Sequence, residues 1–112
     1  MKAQVLTRYD DSLTGSEWVS QQEVPDPKIT KSTDVIVRIG GAGVCRTDLH
    51  IIEGVWRPHM DPTGDALLPL IMGHENAGWV EAIGKEVEGI KVGDPVIVHP
   101  KISGGTCLAC RR

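Results

Sequence analysis

"GHENAGWVEAIGKEV", residues 73–87, places a histidine and a glutamate directly after one glycine and then runs into an apolar stretch of strand length. Trp79, Val80 and Ile83 favour extended chain. Gly78 and Gly84 suit a strand that bends or is approached closely by another backbone. Gly73 supplies the turn that aims His74 out of the strand line. A histidine after a glycine is more often a satisfied surface or core residue than a ligand, so the rest of the chain must decide what His74 does.

Outward from this stretch the same rhythm recurs. "AQVLT", "EWVSQQEV", "DVIVRIGGAGV" and "DPVIVHP" are short, rich in β-branched residues, and separated by glycine, proline and aspartate. "VGD" at 92–94 reads as a tight turn into the last of them. Several such strands at modest spacing predict a mainly β fold, a closed or partly closed barrel. One segment breaks the pattern. In "CRTDLHIIEG", residues 45–54, Leu49, Ile52 and Glu53 follow helical spacing and Gly54 can end the turn, which predicts a short helix. Residues 55–69 and the glycine-rich tail after Pro100 read as long loops, and long loops in compact domains are usually functional or disordered.

Length and charge narrow the possibilities. At 112 residues the chain fits one domain with a real core. Twelve Lys and Arg against 15 Asp and Glu, a net charge of -3, leave no basic footprint for a phosphate backbone, so nucleic acid is not an expected partner. No stretch approaches the ~18 apolar residues of a membrane span, and "MKAQVLTRYDD" meets polar residues too early for a secretory signal, which predicts a cytoplasmic protein without a membrane partner. Three cysteines, one isolated and two in "CLAC", do not make the even framework of a small secreted scaffold. Metal binding is the better use for them.

Cys45 follows "GGAGV" at the predicted strand-to-helix turn, where a thiol can face a shared cleft. A lone cysteine is by default a small buried hydrophobe. Paired with His74 it acquires a second meaning, because zinc accepts thiolate sulfur and imidazole nitrogen, and a catalytic zinc takes three protein ligands with one position open.

At this point the sequence resembles a known family. The order Gly73, His74, Glu75, Gly78, Gly84 and Val87 is similar to the signature of zinc-containing medium-chain alcohol dehydrogenases. "GVCRTDLH" at 43–50 resembles that family's first zinc-ligand turn, and "KVGDPVIVHP" followed by "GTCLACRR" resembles the entry to its structural-zinc lobe. The resemblance implies that residues 1–112 correspond to most of the N-terminal catalytic domain, a GroES-like barrel with short helices, with the dinucleotide-binding domain outside this chain. It implies a zinc-dependent, NAD- or NADP-linked oxidation of a primary or secondary alcohol to an aldehyde or ketone, in a full-length protein that is a homo-oligomer.

The same resemblance assigns roles. Cys45 and His74 would hold zinc, with Glu75 tuning the metal or replacing a ligand; Cys107 and Cys110 would belong to the structural site. Thr47 would pass on the alcohol proton and His50 would accept it near solvent. Arg46 would lie near the cofactor pyrophosphate, Asp48 would orient the imidazole of His74, and Trp56 would wall the substrate pocket. Each residue also has an ordinary structural reading: a helix-start hydroxyl for Thr47, a solvated helix face for His50, a capping carboxylate for Asp48, surface or buried ion pairs for Arg46 and Glu75, and apolar packing for Trp56.

Two features depart from the family pattern. Gly104 stands where the first structural-site cysteine is expected, and no G-x-G-x-x-G occurs. The 112-residue chain is therefore expected not to turn over alcohols by itself, and its tail is expected to hold no zinc. The competing expectations are a non-catalytic GroES-like barrel acting as a binding module and a small zinc-stabilised protein.

Overall fold

The computed structural model describes residues 1–63 and 66–100. Cys107 and Cys110 lie outside the described residues. The elements run β1 (Lys2–Leu6), β2 (Val19–Glu23), β3 (Val35–Gly43), α1 (Arg46–Glu53), α2 (Arg57–Met60), β4 (Leu70–Ile71), β5 (Glu75–Ile83) and β6 (Pro95–Ile97). They form two three-stranded sheets, ordered β2-β1-β4 and β3-β5-β6, with every pairing antiparallel. The fold is mainly β, with the two sheets of an open barrel. Each of the five strands predicted from short β-branched runs between turn residues is present, with its ends shifted by a few residues.

The longest ladder, β3 against β5, positions the site. Arg38 opposes Trp79, and its guanidinium lies 5.0 Å from the indole centroid and 3.3 Å from the Glu81 carboxylate, so one exposed face is tied by a cation–π contact and an ion pair. On the opposite face Gly78 and Val80 are buried. A Cβ at Gly78 would run into the Arg38 carbonyl, which is why the smallest residue stands in mid-strand. The register shifts between Ile39 and Gly41, bending β3 where it feeds the turn to α1.

Two elements have no forecast in the sequence. The two-residue strand β4 is too short to show alternation, and the 55–69 loop contains α2, with Pro58 in its first turn. Long-range polar contacts hold this loop. Asp61, fully buried, accepts hydrogen bonds from the Tyr9 hydroxyl at 2.6 Å and the Ala66 N–H at 2.8 Å, while Arg57 lies 5.3 Å from the Tyr9 ring centroid. Burial, together with donation to Asp61 and that carboxylate's charge, pushes the Tyr9 hydroxyl up to about 12.

Because this is the single tyrosine of the sequence, its ultraviolet titration reads one group. The folded pKa is raised, so the stabilisation is complete below the ordinary tyrosine value of ~10 and is lost as pH climbs through about 12. Tyr9→Phe should lower stability by about 1–3 kcal/mol at neutral pH, measured by urea unfolding. A tyrosine titrating near ~10 in the folded chain would contradict this contact.

Candidate metal centre

The turn from β3 into α1 is built by the residues that the sequence singles out. Cys45 is the N-cap of α1: its Sγ accepts the Thr47 N–H at 3.3 Å, and its own N–H donates to Asp48 Oδ2 at 2.9 Å. This is a capping box with cysteine and aspartate in the places usually taken by serine and glutamate. Gly54 ends the helix at φ 75°, its N–H returning to the His50 and Ile51 carbonyls. Buried Ile52 anchors the inner face, so the helix start has little freedom to move.

His74 approaches from the other side. Gly73 sits at φ 102°, a conformation that a side chain at this position would strain, and it turns the chain so that His74 leaves the line of β5. His74 Nε2 comes within 3.3 Å of Cys45 Sγ, and Nδ1 lies 3.3 Å from Asp48 Oδ1. A carboxylate beside Nδ1 favours the proton on that nitrogen and leaves the Nε2 lone pair on the thiol side.

Asp48 thereby does both things its two readings suggest. One oxygen caps the helix and the other faces the imidazole. Its side chain is buried, and Oδ1 is the one buried side-chain polar atom among the described residues without an aligned hydrogen bond. The contact to His74 is therefore one of charge and proximity.

Cys45, Asp48 and His74 offer ligand atoms that all lie within 4.8 Å of one another. Zinc–sulfur and zinc–nitrogen bonds of ~2.3 and ~2.05 Å at a tetrahedral angle would separate the two donors by about 3.6 Å. The observed Sγ–Nε2 distance of 3.3 Å is close to that, so the thiol and imidazole fit one ion with a small outward adjustment. A soft thiolate with an imidazole suits zinc better than a hard, oxygen-seeking cation.

The other candidates fall around this pair in different ways. Thr47 is half-buried one turn before His50 on α1. The His50 ring meets Trp56 edge-on at a centroid distance of 6.2 Å, which brings the proposed pocket residue to the rim of the same helix. Arg46 is largely exposed and 3.5 Å from Glu53. Glu75 does not enter the cluster. It is exposed at the start of β5, opposite Gly43, where its side chain occupies the space a Cβ on that glycine would need. Sequence reasoning passed over Glu53, whose carboxylate binds both His50 and Arg46; its spacing of three residues from His50 was the available signal. No helix among the described residues is long and apolar enough to cross a membrane.

Known proteins resemble this chain over nearly its whole length. Residues 31–112 match the family described as the alcohol dehydrogenase GroES-like domain. The chain is 37% identical over 110 residues to D-arabinose 1-dehydrogenase (NADP(+)) of Saccharolobus solfataricus, covering 98% of this chain and 28% of that protein. It is 34% identical over 111 residues to the NAD-dependent alcohol dehydrogenase of Sulfolobus acidocaldarius, covering 99% of this chain and 30% of the relative. Among solved structures, the alcohol dehydrogenase of the archaeon Aeropyrum pernix superposes with a TM-score of 0.79 at 44% identity, over 99% of this chain and 29% of that one. The chain thus spans less than a third of the length of the relatives it matches.

Proposed function

The chain belongs to the alcohol dehydrogenase family as its GroES-like domain, and we propose from that membership that it supplies the metal- and proton-handling part of a zinc-dependent, NAD- or NADP-linked alcohol dehydrogenase. The reaction is the reversible oxidation of a primary or secondary alcohol, which gives a hydride to the oxidised nicotinamide and a proton to the protein, leaving an aldehyde or ketone. The observation that carries the reading is the approach of Cys45 Sγ to His74 Nε2 at 3.3 Å, with Asp48 behind the imidazole.

Cys45 and His74 would hold the zinc. When bound there, zinc supplies a Lewis acid that polarises the substrate oxygen and makes its hydroxyl proton easier to remove. The nicotinamide, held mainly by residues beyond this chain, supplies the hydride acceptor. The chain's own side chains do the rest. Asp48 fixes the imidazole by its charge and fixes Cys45 through the backbone. Thr47 Oγ1 takes the alcohol proton, and His50 at the end of the same helical turn delivers it toward solvent. Trp56 would wall the substrate side, and exposed Arg46, 3.5 Å from Glu53, would lie near the cofactor pyrophosphate. Glu75 stands close enough in sequence to act on the metal only if the segment around Gly73 moves; Cys107 and Cys110 would serve the structural site.

The test is a panel of short, branched and aromatic alcohols with NAD and with NADP, read as reduced cofactor formed by the enzyme that carries this domain. Oxidation of at least one class, with zinc at one or more equivalents and a dependence on His74, is the expected result. A fully active enzyme after chelator treatment removes its zinc would exclude the reading, and cofactor-independent binding with no oxidation of any alcohol would favour a binding module.

A further inference from the structure

The geometry points to Glu53 as the positioning residue that selects the tautomer and ring orientation of His50. Glu53 Oε2 lies 2.9 Å from His50 Nδ1, and Oε1 lies 3.5 Å from Arg46 Nη2, so each carboxylate oxygen has its own partner and the group cannot swing freely. The Glu53 side chain is 19% exposed, against 65% for Arg46 and 36% for His50, which places the carboxylate at the protected end of the trio. An ionised carboxylate only accepts hydrogen bonds, so the short contact requires the proton on Nδ1. In the neutral ring Nε2 is then the nitrogen with the lone pair. The Trp56 ring meets the imidazole edge-on, at 62° and with centroids 6.2 Å apart.

The consequence rests on the function proposed above: a ring held in this way presents a proton-accepting Nε2, whereas the reversed tautomer would present an N–H there and could not accept. Glu53 touches no reacting atom and acts through His50. Because it lies three residues after His50 on α1, the pair is set by the helix itself and needs no tertiary rearrangement.

The experiment is two-bond nitrogen–proton correlation of the chain with nitrogen-15 histidine, at a pH of about 8, above the ordinary imidazole range of ~6.5. The His50 signals should show Nδ1 protonated and Nε2 bare. In Glu53→Ala the proton should redistribute to Nε2, while the His59, His74 and His99 patterns and the far-ultraviolet dichroism stay unchanged. Nε2 protonated in the unaltered chain would overturn the assignment without any variant, and so would an unchanged His50 pattern in a folded Glu53→Ala chain. In the active enzyme Glu53→Ala should lower kcat toward the level of His50→Ala with little change in the KM for alcohol. The nitrogen spectra do not depend on zinc or turnover, so failure of the dehydrogenase reading would leave them intact, and failure of the tautomer assignment would leave Cys45 and His74 untouched.

Discussion

Cys45→Ser should cut kcat/KM for alcohol oxidation by about 10³-fold or more while the domain remains folded. A Lewis acid at the substrate oxygen is worth several kcal/mol of transition-state stabilisation, and each ~1.36 kcal/mol is tenfold in rate. Serine is the informative replacement. Its hydroxyl is a good N-cap for α1 and can accept the Thr47 N–H as Sγ does, so the helix start is retained while the soft thiolate is lost. His74→Ala should be equally damaging, and Asp48→Asn, which can keep its bond to the Cys45 N–H but loses its charge beside Nδ1, should cost about 10–100-fold in zinc affinity. Metal content, turnover and thermal unfolding measured on the same preparations separate these effects. Full activity in zinc-free Cys45→Ser would defeat the mechanism.

Thr47→Val should lower kcat by about 10²–10⁴-fold, the range of a positioned general acid or base, and Thr47→Ser should recover most of it. The contribution of Thr47 to the fold is through its backbone N–H, which bonds to Cys45 Sγ whatever the side chain, so the helix cap survives both substitutions. Removing the hydroxyl therefore isolates the proton step. Unchanged kcat in Thr47→Val, with zinc still bound, would show that the alcohol proton leaves by another route.

The parts of the molecule that could be read from sequence are those governed by local rules. Short β-branched runs bounded by turn residues mark the two long strands, Val35–Gly43 and Glu75–Ile83, and the helix after Cys45 ends at the left-handed Gly54 that sequence alone suggests. The pairing of Cys45 with His74 spans 29 residues and was legible from ligand chemistry and the family signature, since no periodicity joins the two positions. The Tyr9–Asp61 contact spans 52 residues and joins two loops that carry no pattern at all. Within α2 the short run around Pro58 lacks the length to show a helical period. Asp48 shows a different kind of limit. Its two readings, cap and imidazole partner, looked like rivals in the sequence, yet a carboxylate has two oxygens and the structure uses one for each.

The most direct test of the central claim is cobalt(II) titration of the chain carrying Cys107→Ser and Cys110→Ser, which leaves Cys45 as the single thiol. Thiolate coordination to cobalt produces a near-ultraviolet charge-transfer band, so any such band reports Cys45 alone. At excess cobalt the account predicts a weakly held, saturable band that disappears in Cys45→Ser and is strongly diminished in His74→Ala. Absence of the band at saturating cobalt, or a band of equal strength and affinity after His74→Ala, would contradict a metal shared by these two side chains.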